Sequence, residues 1–204
     1  EAVAMTLQRI GVAALPLGAV VGALWEAFRR GAEVPLRHSH DLGGGRLLLM
    51  PAWSRQFTGL KTVVFKSDNA AKGLPTIQAS YLLIDNATGA TVAMMDGGEI
   101  TRRRTAAASA LAADYLARPD ASTMTLVGAG ALGAHFVRAH ASVRPIRKVF
   151  IFSRTRAKSE ALAAELAGDG LAAIVTDDIA SAVHQSDLVT CVTTSTVPIV
   201  KGEW

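Results

Sequence analysis

The chain of 204 residues has the composition of a folded soluble protein, with 50% hydrophobic and 19% charged residues. Its one cysteine, Cys191, cannot form an intramolecular disulfide, so we expect a cytoplasmic protein. The net charge of +4 is mildly basic, but only 5% of the residues are aromatic, and the longest run of cations is residues 102–104. This composition argues against a nucleic-acid partner and favours small anionic ligands.

The apolar segment Ile10–Trp25 is the stretch that most resembles a membrane signal. It is shorter than the roughly 20 residues that a bilayer requires, and Pro16 interrupts it. A secretory signal is the alternative, but the segment continues as an amphipathic pattern without an obvious cleavage site. We therefore predict a buried helix and no association with a membrane.

Residues 36–99 are predicted to be rich in β-strands, because short apolar runs alternate with turn residues. The runs are Arg46–Met50, Leu60–Phe65, Ala79–Ile84 and Thr91–Met95. The segment Asp85–Gly89 has the residues of a short hairpin loop that needs a positive φ near its end. We expect the last two runs to form an antiparallel pair.

From Thr101 the pattern changes to that of an alanine-rich helix that ends before Pro119. Thr101 is the expected N-cap residue. This helix is a plausible connection between two domains, and we place the boundary between residues 117 and 118.

The second half alternates strictly between strands and helices. The predicted elements are strands at Thr123–Val127, Lys148–Phe152, Leu171–Val175 and Leu188–Val192, with helices near Ala131–Ala141, Ala157–Ala167 and Ile179–His184. Such an order implies a parallel sheet with right-handed crossovers. The fold class is therefore α/β, a Rossmann-type parallel sheet domain at 118–204 plus a smaller α+β domain at 1–117.

A glycine motif of the form GxGxxG follows the first strand of the second half and precedes a helix. In that context the motif is the fingerprint of a dinucleotide site. The first glycine makes the turn, the second admits the pyrophosphate, and the helix N-terminus supplies N–H donors. The candidate cofactor-binding residues here are Gly128, Gly130, Ala131, Leu132 and Gly133.

The residues after the second strand of this domain indicate which dinucleotide is bound. An acidic side chain there would bind the ribose hydroxyls of NAD(H), but this chain has Ser153, Arg154 and Thr155. Arginine binds phosphate in a bidentate manner, so we expect NADP(H) to be preferred, with NAD(H) as the alternative. Thr193 and Thr194 follow the last strand, where the loops of parallel strands form the ligand crevice.

Three cations of the first half, Arg37, Lys61 and Arg104, are candidate anion ligands, although each taken alone is more often a solvated charge. His38 and His40 lie in a predicted loop and have no second ligand cluster at zinc-like spacing. We therefore predict no metal site.

Cys191 lies in an apolar strand and is interpreted as core packing. A serine hydrolase is not indicated, because the chain has no GxSxG nucleophile motif.

Taken together, these patterns resemble the ornithine cyclodeaminase/mu-crystallin family over nearly the whole chain. The motifs that carry the resemblance are Pro35-Leu36-Arg37, Leu49-Met50-Pro51-Ala52, Gly59-Leu60-Lys61, Asp96-Gly97-Gly98, Ile100-Thr101, Arg104-Thr105-Ala106-Ala107, Gly128-Ala129-Gly130, Ser153-Arg154-Thr155, Pro198 and Gly202-Glu203-Trp204. Each motif is short, but their combination is specific.

The resemblance implies a homodimer whose first domain supplies both the subunit interface and the substrate pocket. It also implies that Arg37, Lys61 and Arg104 bind the carboxylate of a small amino or imino acid, and that Thr105 lies near the nicotinamide cofactor. Lys61 is the candidate catalytic residue, since it could assist protonation of an imine nitrogen.

Three departures from the family pattern matter. Family members that cyclise ornithine carry a glutamate two residues before the Met-Pro pair, where this chain has Leu48, and an ammonium buried there would lack a partner. Leu132 and Gly133 replace a common Gln-Ala, which should not prevent binding. The chain stops at Trp204, before the aspartate that the family uses as proton donor, so we expect it to be part of a longer polypeptide.

The function implied by the resemblance is NAD(P)H-dependent reduction of a cyclic imino acid, such as Δ1-pyrroline-2-carboxylate or its six-membered analogue. One alternative is ornithine cyclodeaminase, which converts L-ornithine to L-proline and ammonia with catalytic NAD. The other is an NADPH-dependent ligand-binding protein of the mu-crystallin type, without turnover.

Overall fold

A computed structural model describes residues 5–7 and 9–204, with side chains placed from residue 11 onward. The chain forms two compact units, of which the first ends at Thr101 and the second begins at Arg102. The division falls inside a long helix, Gly97–Leu116, that contributes residues to both units. The domain boundary predicted between residues 117 and 118 lies just after the end of this helix, and it stays a prediction.

The first unit is built on a six-stranded sheet. Its strands are β1 (Met5–Leu7), β2 (His38–Asp41), β3 (Arg46–Trp53), β4 (Phe57–Phe65), β5 (Ile77–Asp85) and β6 (Thr91–Asp96), in the spatial order β1-β6-β5-β4-β3-β2. β1 and β6 are parallel and every other pair is antiparallel. The four predicted strands are confirmed, and β1 and β2 are additional strands that sequence alone did not indicate.

The position of β2 corrects one prediction. His38 and His40 lie in this edge strand and not in a loop. Their sequence is polar, and it is pairing with the apolar strand β3, with His38 opposite Leu49, that gives β2 its backbone hydrogen bonds.

The turn between β5 and β6 forms as its sequence predicts. The Asp85 carboxylate accepts hydrogen bonds from the N–H groups of Ala87 and Thr88, both at 2.9 Å. Gly89 has a φ of 72°, the positive value expected near the end of the loop. The antiparallel pairing of the flanking strands is confirmed.

Within the described residues before β2 there are two helices, and the prediction of one buried helix was wrong. They are α1 (Arg9–Ala13) and α2 (Leu17–Arg30), and the break falls at Pro16, which has no N–H to continue a helix. In α2 only Val21 is buried, whereas Phe28 is 70% exposed. Among the described residues, no helix is both long and apolar enough to cross a bilayer.

The long shared helix, α3 (Gly97–Leu116), begins five residues earlier than predicted. The Asp96 carboxylate accepts a hydrogen bond from the N–H of Glu99 at 2.6 Å, so an aspartate caps the helix. Thr101 lies inside the helix, where its hydroxyl donates to the Gly97 carbonyl at 2.7 Å. Thr101 is therefore not the N-cap, because Asp96 takes that position one turn earlier.

The second unit has the predicted alternation of strands and helices. Its elements after α3 are β7 (Thr123–Val127), α4 (Gly133–Ala141), β8 (Lys148–Phe152), α5 (Arg156–Gly168), β9 (Ala172–Val175), α6 (Ile179–His184) and β10 (Leu188–Cys191). The strands are all parallel, in the order β10-β7-β8-β9. The α/β fold class, with a Rossmann-type parallel sheet and a second unit around an antiparallel sheet, is confirmed.

Apolar side chains from the central strands and the helices form the core of this unit. Leu126 of β7, Ile151 of β8 and Leu166 of α5 are completely buried. In contrast, Cys191 is exposed, so its interpretation as core packing was wrong. β10 is an edge strand in which neighbouring side chains face opposite ways, and Thr190 takes the buried position next to it.

Asp187 holds the start of β10 against β7. Its carboxylate accepts hydrogen bonds from the N–H groups of Ser122 at 2.8 Å and Thr123 at 3.0 Å, and Arg118 donates to the other oxygen. These N–H groups, followed by Arg118, lower the pKa of Asp187 from its ordinary value. A carboxyl pKa lowered in the folded state stabilises the fold above the unfolded-state pKa, about 3.9, and this stabilisation is lost as the pH falls through the folded-state pKa.

We expect Asp187→Asn to lower the melting temperature by about 3 °C at pH 7, equivalent to about 1 kcal/mol. Below about pH 4 the melting temperature of the unchanged protein should fall as Asp187 becomes protonated. In the variant this fall should be smaller, because the titrating carboxylate is absent. Circular dichroism melts between pH 2 and pH 7 measure both effects. Asp120→Asn is the matched control, since the Asp120 side chain is 80% exposed and contacts the same arginine. Identical pH profiles for the two variants would contradict this role of Asp187.

Candidate functional site

A cleft of 420 Å³ opens at the carboxyl ends of the strands of the second unit. It lies where the strand order reverses, because β8 flanks β7 on one side and β10 flanks it on the other. Ligands of open α/β sheets bind at such reversals. The lining residues are Val127, Gly128, Ala129, Gly130, Phe152, Ser153, Arg154, Thr155, Lys158, Val192, Thr193, Thr194, Ser195 and Ile199.

Glycine is required at each of three positions in the turn after β7, for a different physical reason at each. Gly128 has a φ of 117°, and a Cβ there would lie 2.8 Å from the Val192 carbonyl oxygen. Gly130 lines the cleft, and a Cβ built there would meet no atom within 4 Å. Because glycine has no side chain, this space stays open for a ligand. A Cβ on Gly133 would lie 2.8 Å from a methyl group of Leu162, so this glycine lets α4 and α5 pack closely. This arrangement fits a pyrophosphate group.

The rim of the cleft after β8 is ordered by its own hydroxyl groups. The Ser153 hydroxyl donates to the Thr155 carbonyl at 2.9 Å and lies 2.9 Å from the Ser159 hydroxyl, which is buried. Thr155 is the residue before α5. Ser153 therefore fixes the start of α5, and the side chain of Arg154 lines the cleft beside it.

The charges of this rim are positive. Within the part of the chain whose side chains are described, neither Arg154 nor Lys158 forms an ion pair, and both line the cleft. Arg156, between them, does not line the cleft and binds Glu160 at 2.9 Å and Asp177 at 2.6 Å. Two cations without a carboxylate partner thus face a site that lacks an acidic side chain.

Lys158 was not among the residues predicted for the site. Its sequence position could have indicated this role, because Lys158 lies in the first turn of the helix after β8, four residues beyond Arg154. Ser195 and Ile199 were also missed. They belong to the irregular segment after β10, for which sequence periodicity makes no prediction.

The segment after β10 forms the opposite wall. Val192 donates its N–H to the Val127 carbonyl at 2.9 Å, which joins the ends of β10 and β7. The Thr193 hydroxyl accepts a hydrogen bond from the N–H of Ser195 at 3.1 Å. Thr193 and Thr194 both line the cleft, as do Gly128, Gly130, Ser153, Arg154 and Thr155 among the predicted cofactor residues.

Four predicted cofactor residues do not line this cleft. Ala131 and Leu132 form the turn that leads into α4, and Gly133 acts through helix packing. Thr105 is half-buried in α3.

The three candidate substrate cations lie outside the cleft. Arg37 is exposed and directly precedes β2, and Arg104 is exposed on α3. Lys61 is half-buried in β4, and its ammonium group donates a hydrogen bond to the Thr101 hydroxyl at 3.5 Å. Arg104 follows Thr101 by three residues on α3, so the two side chains lie on one face of that helix.

The sheet surface around Lys61 is mostly apolar. Met50 on β3 and Tyr81 on β5 lie directly opposite Lys61, and Leu48 and Val63 occupy the next paired positions on the same face. Burial raises the pKa of Tyr81 from its ordinary value. In the described part of the chain, no group of three His, Cys, Asp or Glu side chains is placed to hold a metal ion.

The two features together define a class of protein, one with a Rossmann-type nucleotide-binding unit and a separate unit built on a mainly antiparallel six-stranded sheet. The model of the ornithine cyclodeaminase/mu-crystallin family matches residues 3–204. The chain belongs to this family.

Known proteins of this family are similar over most of the chain. The Δ1-pyrroline-2-carboxylate reductase of Paracoccus denitrificans is 35% identical over 185 residues, which cover 88% of this chain and 58% of the relative. The Thermococcus litoralis Δ1-pyrroline-2-carboxylate reductase, solved with NADH and L-proline, is 32% identical with a TM-score of 0.83 over 98% of this chain and 65% of its own.

An archaeal alanine dehydrogenase dimer with bound NAD is 29% identical, with a TM-score of 0.88 over 98% of this chain and 64% of its own. The chain spans between 55% and 60% of the length of three curated relatives, among them the Paracoccus reductase.

Proposed function

We propose that this protein is an NADPH-dependent reductase that converts a cyclic imino acid, such as Δ1-pyrroline-2-carboxylate, to the L-amino acid. The observation that carries the proposal is the presence, in one chain, of a cleft fitted to a dinucleotide and of a half-buried lysine on a mostly apolar sheet surface. The names of the similar reductases support it.

The cleft of the second unit would hold the cofactor. Gly130 and the N-terminus of α4 would receive the pyrophosphate, since backbone N–H groups can approach it there without a side chain between. Arg154 and Lys158 would bind the 2′-phosphate that distinguishes NADP(H) from NAD(H). When bound, the nicotinamide supplies hydride to the imine carbon.

Arg37 and Lys61 of the first unit, together with Arg104 of α3, would bind the substrate carboxylate. Lys61 is the central residue, and Thr101 orients its ammonium group. Arg37 precedes β2 directly, and continuing the β2–β3 register by one residue puts Arg37 opposite Met50, the neighbour of Lys61. Arg104 would be the third carboxylate ligand, with Thr105 near the cofactor. Lys61 would also assist protonation of the imine nitrogen.

The surroundings of Lys61 favour reduction over cyclodeamination. Leu48 pairs with Val63 on the sheet face that carries Lys61, in the place where cyclising relatives are expected to have a glutamate. An ornithine side chain would bring a second ammonium group to this surface, and a leucine cannot neutralise it. A ring without a distal charge fits this surface better.

We infer that the protein acts as a homodimer. The segment after α2 carries exposed apolar side chains, with Val34 72% and Leu36 90% exposed. Large exposed apolar side chains close together mark surfaces that bind a partner. The archaeal alanine dehydrogenase of similar structure is a dimer.

The test is the loss of NADPH absorbance when Δ1-pyrroline-2-carboxylate is added to protein expressed from its complete reading frame. A parallel sample contains ornithine and NAD. Consumption of NADPH in the first sample supports the reductase, and the second sample should stay unchanged.

Two other results would overturn the proposal. Release of proline and ammonia from ornithine, without NADPH consumption, would establish the cyclodeaminase. Saturable NADPH binding with no turnover in either sample would favour a ligand-binding protein.

A further inference from the structure

Tyr81 occupies the position directly across the sheet from Lys61. The two residues are opposite each other in the β4–β5 ladder, so their side chains project from the same face. The Cβ atoms of such a pair lie about 5 Å apart. A phenol is therefore the nearest polar neighbour that β5 offers to Lys61.

The ring of Tyr81 lies over the backbone of Gly59. A Cβ built on Gly59 would lie 1.9 Å from the Tyr81 hydroxyl oxygen and 2.7 Å from the ring carbon that bears it. Gly59 is buried, and it is two residues before Lys61 on the same face of β4. Glycine at this position allows the phenol ring to lie along β4, with its hydroxyl against the backbone of Gly59.

The hydroxyl group of Tyr81 has no hydrogen-bond partner among residues 11–204. Burial raises its pKa, so it keeps its proton at neutral pH and acts as a donor. This hydroxyl is not among the fully buried polar atoms that lack a partner, so it is accessible from solvent and can donate to a ligand oxygen. The ammonium of Lys61 and this O–H are two donors on one apolar surface, which is the chemistry that recognises a carboxylate.

We propose that Tyr81 is a specificity residue of the substrate site, whose hydroxyl donates a hydrogen bond to the ligand carboxylate that Lys61 neutralises. This inference rests on the proposed function, which places a carboxylate at Lys61. It adds a neutral donor to the three cations and assigns Gly59 the role of making room for it.

The experiment measures binding of L-proline and of L-prolinamide, in which an amide replaces the carboxylate, by calorimetry in the presence of saturating NADP+. Tyr81→Phe keeps the ring over Gly59 and removes only the hydroxyl. We expect it to raise the Kd of L-proline about tenfold, since hydrogen bonds to charged groups have effects of this order. The Kd values of L-prolinamide and NADPH should change less than about twofold.

Tyr115→Phe is the matched control, because Tyr115 is 69% exposed on α3 and undergoes the same chemical change. An unchanged L-proline Kd in Tyr81→Phe, or an equal loss for L-proline and L-prolinamide, would overturn the role of Tyr81 while leaving the proposed function intact. If the unchanged protein does not prefer L-proline to L-prolinamide, the carboxylate site itself is wrong, and both inferences fall.

Discussion

Replacing Arg154 and Lys158 together with alanine is expected to raise the Kd of NADPH about a hundredfold. Each cation would make a charge-assisted contact with the 2′-phosphate, and losing one such contact costs about tenfold in affinity. NADH has no phosphate at this position, so its Kd should change less than about threefold. Titration calorimetry with each nucleotide at low ionic strength measures both values, and added salt should reduce the difference.

Arg156→Ala is the matched control for charge. It removes one positive charge from the same helix turn, but Arg156 is held by Glu160 and Asp177 and does not line the cleft. Its NADPH affinity should stay close to that of the unchanged protein. An equal loss of NADPH and NADH binding in the double variant would show that the two cations do not select the phosphate, and the preference for NADP(H) would be abandoned.

The second large effect is expected from Gly128→Ala. A side chain at a φ of 117° is strained, and its Cβ would be 2.8 Å from a backbone oxygen of Val192, which cannot move as a side chain can. Strain and overlap together should cost about 3 kcal/mol, which corresponds to a fall in melting temperature of about 10 °C. Thermal denaturation followed by circular dichroism measures this change.

Gly130→Ala, in the same turn, should weaken nucleotide binding without lowering the thermal stability of the protein. Its Cβ would meet no protein atom within 4 Å, so the melting temperature should stay within about 2 °C of the unchanged value. The added methyl group would enter the cleft and should weaken nucleotide binding about tenfold. If Gly130→Ala destabilises the fold as much as Gly128→Ala does, the division of roles between the two glycines is incorrect.

Most of the local structure could be predicted from the sequence alone. Short apolar runs between turn residues predicted four of the six strands of the first unit and the strands of the second, and the motif at residues 128–133 predicted a dinucleotide turn before any contact was known. These signals are local: a turn that needs a positive φ, or a strand with apolar side chains, is encoded within a few residues. For the same reason Asp85–Gly89 predicted its hairpin correctly.

Local signals were weakest where a partner element decides the structure. β2 has a polar sequence and exists because β3 supplies its hydrogen bonds. Cys191 looks like a core residue within its apolar run, yet β10 lies at the sheet edge and turns that side chain outward. The helix expected over Ile10–Trp25 divides at Pro16, and most of α2 lies outside the core.

Which residues share a site depends on how the elements pack in three dimensions. The order β10-β7-β8-β9 brings the ends of three strands around one cleft, and it is the return of β10 to the far side of β7 that places Thr193 and Thr194 there. In the first unit, the β4–β5 register sets Tyr81 against Lys61. Sequence records residue types and local spacing, whereas strand order and register depend on packing between distant segments, and those contacts set the chemistry of each site.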